Sequence, residues 1–229
     1  MQNVKNIIDR TVEYDYMVSF MKTKSVKTEK TRTQQRVKTT RKKLKKAALN
    51  VFSEKSVDAA TVEEITEKAD VGKGTLYRHF AHKEQMVATL VEEAVEHLIE
   101  RMWSYECAPE NFDKMLEHIL DAHYRFFVDS REEFLLLFQG KLLLRLESDI
   151  LDELGESYLR YLKEIEQLVA LYLSAQTEPD KIRRFACAVA GFVFGYFSFV
   201  MIGMNLDEME TNIEPLRRVF VKSLSVFLE

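Results

Sequence analysis

Glycine and proline together occupy only ten of the 229 positions. That scarcity disfavours a turn-rich β fold and points to long helices. Two cysteines, Cys107 and Cys187, are too few for a disulfide framework and suit a reducing compartment. The chain shows no glycine-rich phosphate loop, no serine or cysteine nucleophile with an evident histidine partner, and no metal-ligand spacing, so neither an enzyme nor a cofactor protein is expected. His118 and His123 stand five apart and fall on different faces of a helix, which argues against a metal pair. The first twenty residues lack a basic segment followed by an apolar one, so they do not read as a signal peptide.

Charge is present but unevenly placed. The net value of −4 conceals residues 22–46, where twelve Lys or Arg face the single acid Glu29. A basic arm joined to an acidic remainder is the electrostatic footprint of a chain that meets nucleic acid at one end, because each base near a duplex releases counterions.

Directly after this arm, residues 61–83 read TVEEITEKADVGKGTLYRHFAHK. Val62, Ile65 and Ala69 recur at helical spacing, and Thr61 with Glu64 makes a capping box. Asp70, Val71 and Gly72 break the pattern; Leu76 and Phe80, four apart, begin a second buried face. Tyr77 falls in the same apolar pattern, and the remaining face carries Lys73, Thr75, Arg78 and His79, whose donors and acceptors suit phosphates and base edges. Two short helices about a tight turn form a helix-turn-helix. Upstream, Leu44, Ala47, Ala48, Val51 and Phe52 make the stripe of a bracing helix over residues 38–54.

With Arg41, Leu44, Ala47, Ala48 and Phe52, then Thr61, Val62, Ile65, Ala69 and Val71, then Gly74-Thr75-Leu76-Tyr77, Phe80 and Lys83-Glu84, the chain resembles the TetR (tetracycline-repressor) family of bacterial transcription regulators. The resemblance implies an all-α fold: an N-terminal three-helix helix-turn-helix DNA-binding domain followed by a helical ligand-binding and dimerisation body. It implies DNA contacts from Thr40, Arg41, Thr61, Lys73, Gly74, Thr75, Tyr77, Arg78, His79 and Lys83, with sequence choice resting on Arg78 and His79 and phosphates held by Thr40, Arg41, Thr61, Tyr77 and Lys83. Three positions depart from the family pattern. Ser56 and Asp70 replace glycines and are expected to take positive φ, while Gly72 replaces a serine cap. His82 likewise stands where a better cap is usual.

Beyond Lys83 the apolar residues step by three and four through a long helix ending near Tyr105, then through stripes at 112–127, 150–172 and 213–228. The dense apolar stretch at 134–146 is expected to break near Gly140. Residues 185–204 carry no charge and satisfy the length and polarity of a transmembrane helix, or of a helix buried on all sides. The resemblance favours the second: a dimer helix, with Gly191 and Gly195 admitting a close partner backbone and with Phe199, Phe220 and Leu224 at the same interface. It also implies a pocket for an unidentified small-molecule effector, for which Trp103, Tyr124, Phe127, Phe138, Tyr158, Tyr161 and Phe192 are candidate lining residues.

The expected organisation is an extension with a basic arm (1–37), the helix-turn-helix domain (38–84) and the effector and dimer body (85–229). The expected function is a cytoplasmic, nucleoid-associated homodimeric repressor, released by an apolar or aromatic ligand from a pseudo-palindromic double-stranded operator. A regulator anchored in the membrane through 185–204, and a ligand-independent DNA-binding protein, are the alternatives.

Overall fold

A computed structural model describes residues 32–105, 108–143, 150–174, 176–203 and 213–225, the side chains of 140–143, 150–153 and 202 excepted. Expectations for the first twenty residues, for residues 22–31 of the basic arm and for Cys107, Leu144, Leu146, Phe227 and Leu228 fall outside that set. The described residues form helices and no strand. In chain order these are α1 (Arg32–Lys55), α2 (Val62–Lys68), α3 (Lys73–Tyr77), α4 (Lys83–Trp103), α5 (Phe112–Asp129), α6 (Arg131–Leu143), α7 (Ile150–Ala170), α8 (Pro179–Gly203) and α9 (Ile213–Ser225).

By compactness the chain divides into residues 1–41 and 42–229. The described part of the first unit is helical and exposed through Thr39, whose hydroxyl donates to the Gln35 carbonyl at 2.9 Å. Thr40 and Arg41 close that unit and are half-buried. The helix thus starts six residues before the expected start at residue 38. Lys, Arg and Gln propagate a helix at little cost even where no apolar face demands one.

In the second unit, α1 buries Leu44, Ala47, Ala48, Val51 and Phe52, all five residues of the expected stripe. Each fully buried Leu, Val or Phe contributes about 1.5–3 kcal/mol relative to exposure. Helix α4 buries Met86, Val87, Leu90, Val91, Ala94, Val95, Leu98 and Met102 and packs on α5, α6 and α7. Its 21 residues span about 30 Å, so one rod carries the chain from the head to the body. Helix α7 lies on α8, and α9 closes over α5 and α8.

Two expectations fail in detail. Helix α6 runs unbroken through Gly140 to Leu143. A single glycine costs a helix about 1 kcal/mol, which the burial of Phe134, Leu136 and Leu137 offsets. Val219, placed on the buried stripe of α9, is 55% exposed. Helix α8 is not enclosed on every side within its own chain: Phe185, Ala186, Val189, Val193, Phe197 and Val200 are buried, whereas Gly191 is exposed and Phe199 is 74% exposed. It is long and apolar enough to cross a membrane. Half of it, however, is already committed to α7, α5 and α9.

Candidate nucleic-acid interface

The head is built on its caps. The Thr61 hydroxyl accepts the Glu64 amide at 3.3 Å, and the Glu64 carboxylate accepts the Thr61 amide at 3.1 Å, completing the capping box that starts α2. The same carboxylate pairs with the Lys55 ammonium. That partner first, and the Thr61 amide second, hold the Glu64 carboxyl below its ordinary range. Helix α2 ends with Asp70 at φ 53°, and the turn closes as the Val71 amide donates to the Thr66 carbonyl at 3.0 Å. Ser56, after α1, stands at φ 89°. Both departures from glycine therefore take the left-handed backbone that the sequence required of them.

Gly72 enters α3 in extended conformation with no side-chain cap, and the Thr75 amide donates to its carbonyl at 2.8 Å. Leu76 (0% exposed) and Phe80 (1%) anchor the rod from beneath. This anchoring turns Lys73, Gly74, Tyr77 and Arg78 outward, with Thr75 and His79 half-exposed beside them. Tyr77 is 53% exposed, an unusual position for a tyrosine that only fills a core. Arg78 donates from Nη2 to Thr75 Oγ1 at 2.9 Å, so these two side chains form one unit on the outer face. Lys73 pairs with Glu63, whose carboxyl it holds down; both groups are exposed, and water or a phosphate competes readily for the ammonium.

The structure thus brings Thr75, Tyr77, Arg78 and Lys73 together on one five-residue helix and its exit. Thr61 lies at the neighbouring helix start, with its hydroxyl already in the capping box. Lys83 faces elsewhere: its ammonium donates to the carbonyls of Val57 and Ala60, each at 2.9 Å, and lies 3.5 Å from that of Asp58. It fastens the α1–α2 loop to the start of α4. Sequence reasoning also undervalued His82. Its Nδ1 accepts the Gln85 amide at 3.1 Å, while Gln85 Oε1 accepts the Ala81 amide at 2.7 Å, a reciprocal cap signalled by glutamine three positions on.

In the body, the candidate aromatics divide. Phe127 (0%), Tyr158 (7%) and Tyr161 (2%) are buried; Trp103, Tyr124, Phe138 and Phe192 are half-buried. Phe127 stacks on Phe197 with ring centres 5.1 Å apart and meets Phe134 edge-on at 5.0 Å. Phe134 stacks on Phe194 at 5.3 Å, and Tyr161 meets Phe194 at 5.9 Å. Phe192 instead joins Phe220 and Tyr196, and Trp103 donates its indole N–H to Glu164 at 2.9 Å. Phe134, Phe194, Phe197 and His123 complete the inner cluster and are not among the candidate lining residues, since apolar spacing marks burial without saying which buried rings meet. Phe220 and Leu224, expected at a dimer face, are buried inside the chain at 0% and 5% exposure. Phe199 and Gly191 lie open.

Comparison with known proteins matches residues 44–90 to the model of bacterial regulatory proteins of the tetR family. The uncharacterized HTH-type transcriptional regulator YvdT of Bacillus subtilis (strain 168) is 26% identical over 98 residues, 43% of this chain and half of that relative. YvkB of the same organism, also an uncharacterized HTH-type regulator, is 25% identical over 194 residues, covering 81% of this chain and 97% of its own. Among solved structures, the transcriptional regulator FadR from Bacillus subtilis in complex with stearoyl-CoA superposes with a TM-score of 0.60 at 17% identity, over 80% of this chain and 96% of that one. The family resemblance and the all-α architecture of helix-turn-helix head and helical body therefore stand.

Proposed function

We propose that this chain, whose head is a tetR-family helix-turn-helix, is a homodimeric repressor released from a pseudo-palindromic operator by a small apolar or aromatic ligand. The observation that carries the reading is the solvent-facing surface of α3 and its exit. There Lys73, Tyr77 and Arg78 stand clear of a rod pinned by Leu76 and Phe80, with Thr75 half-exposed beside them. A rod so short presents few base contacts, each good bidentate pair being worth about 1–3 kcal/mol of discrimination. A second copy doubles them and imposes two-fold symmetry on the site. The apolar face of α8 left open at Phe199 and Gly191, with Gly195 half-buried between them, supports that pairing; among the described residues, apart from the nearby backbone of α8 itself, nothing lies within 4 Å of a Cβ built on either glycine. The complex of FadR with stearoyl-CoA supports an elongated apolar ligand for the body. Such a ligand acts only through unequal affinity for the DNA-competent and incompetent arrangements.

Duplexes selected by the purified chain from a random pool test the proposal. Lys73→Ala and Tyr77→Phe should weaken binding to the selected site at fixed salt and leave the unfolding midpoint in place. Arg78→Ala should cost about 1–3 kcal/mol on the preferred site and relax selectivity at one base pair. Equal affinity for every duplex, or a monomer at working concentration, would sink it.

A further inference from the structure

Helix α6 belongs to the body, yet its Gln139 side chain is bonded to the backbone of the head. Its Oε1 accepts the Val57 amide at 3.0 Å, and its Nε2 donates to the Phe52 carbonyl at 3.2 Å. Both groups lie where α1 ends. The last carbonyls of a helix lack intrahelical partners, and the left-handed Ser56 turns the chain aside. The Ser56 amide also donates to the Phe52 carbonyl, at 3.0 Å. One amide side chain, 82 positions distant from Val57, thereby completes the C-terminal cap of the head's bracing helix.

The same helix is tied into the aromatic interior. Two residues before Gln139, the Leu137 carbonyl accepts the hydroxyl of buried Tyr158 on α7 at 2.5 Å. One turn earlier, Phe134 stacks on Phe194 of α8 and meets Phe127 of α5 edge-on. A packed helix moves as a unit because close-packed interiors do not deform continuously. A shift of α6 set by its aromatic end is therefore delivered to the head at Gln139.

We infer that Gln139 is the positioning residue through which the state of the body's aromatic cluster sets the head for DNA. The assignment rests on the repressor reading for its consequence and on the hydrogen bonds of α6 for its mechanism. Gln139 touches no part of the DNA-facing surface; it acts through the end of α1. Its amide is suited to the task, offering one donor and one acceptor to groups that require one of each.

A cycle of Tyr158→Phe and Gln139→Ala in the full-length chain tests this without any ligand. Two readouts are taken: hydrogen–deuterium exchange of residues 52–60, and affinity for the duplex that the unaltered chain selects. Tyr158→Phe removes the hydroxyl held by the Leu137 carbonyl and keeps the ring. It should speed exchange at 52–60 and change duplex affinity by about threefold or more, the scale of residues that couple distant sites. In the Gln139→Ala background the same change should have no further effect on either readout. Gln139→Asn, one methylene too short to reach both groups, serves as the uncoupled background should the alanine variant fail to fold. An equal effect of Tyr158→Phe in both backgrounds, or none in either, overturns the assignment. A chain that selects no duplex sinks the repressor reading alone, and the exchange arm still decides the role of Gln139.

Discussion

Tyr161 on α7 donates its hydroxyl to Nε2 of His123 on α5 at 2.7 Å, deep inside the body. The other ring nitrogen, Nδ1, donates to the Ile119 carbonyl at 2.7 Å. Burial pushes the Tyr161 phenol well above its ordinary value, so the hydroxyl keeps its proton. Tyr161→Phe keeps the ring against Phe194 but leaves a buried imidazole nitrogen without that donor. It should lower unfolding free energy by about 1–3 kcal/mol, read from urea denaturation. A change within experimental error would show that the pair contributes nothing.

Ser56 and Asp70 carry backbone strain that glycine would relieve. Ser56→Gly should raise stability by about 0.5–1 kcal/mol, and Asp70→Gly by less. Ser56 lies farther from the favourable left-handed region at φ 89° than Asp70 at 53°, and Asp tolerates that region better than most residues. Among the described residues, the bond lost with the Ser56 hydroxyl is the long one from the Ala59 amide, at 3.4 Å. Thermal unfolding of both variants checks the sign and the order.

Lys83 separates two roles for one ammonium. Its contacts with the carbonyls of Val57 and Ala60 imply that Lys83→Met lowers stability by about 1–2 kcal/mol. A phosphate contact would instead reduce the salt slope of DNA binding by about one unit. The expected result is a lower unfolding midpoint with an unchanged slope; the reverse pattern would restore the phosphate role.

The Glu64 carboxyl is held below its ordinary value by Lys55 and by the Thr61 amide. A carboxyl lowered on folding contributes stability that is fully present above its unfolded value, near 4.5, and lost as pH falls through the folded one. Glu64→Gln retains the reciprocal cap and removes the charge. The gap in unfolding midpoint between the two proteins should therefore be greatest above pH 5 and close as pH falls below 4.5. A constant gap would dissociate the charge from head stability.

Much of the head was legible in its residues. The Thr61–Glu64 box and the core positions Leu76 and Phe80 are local consequences of a few neighbouring side chains, whereas the left-handed Ser56 and Asp70 followed from the resemblance, which places glycine there. The stripes of α1 and α4 were equally plain, since a single buried face imposes its period on the sequence. Helix α6 was not: it is apolar on more than one side, and Gly140 resembled a break until packing from α4 and α5 overrode it. Nor could spacing show that the open side of α8 begins at Gly191 and Phe199, because both its faces are apolar.

The sequence by itself determined the helices, the caps and the outward Lys73 and Arg78, because each depends on residues within a turn or two. Only the tertiary structure decided that Lys83 fastens a loop, that His123 pairs with Tyr161 and that Gln139 reaches the end of α1. Those partners lie 23 to 87 positions apart. No local preference encodes them: a polar side chain takes whichever unsatisfied group the packing of distant helices carries within 3 Å or so of it.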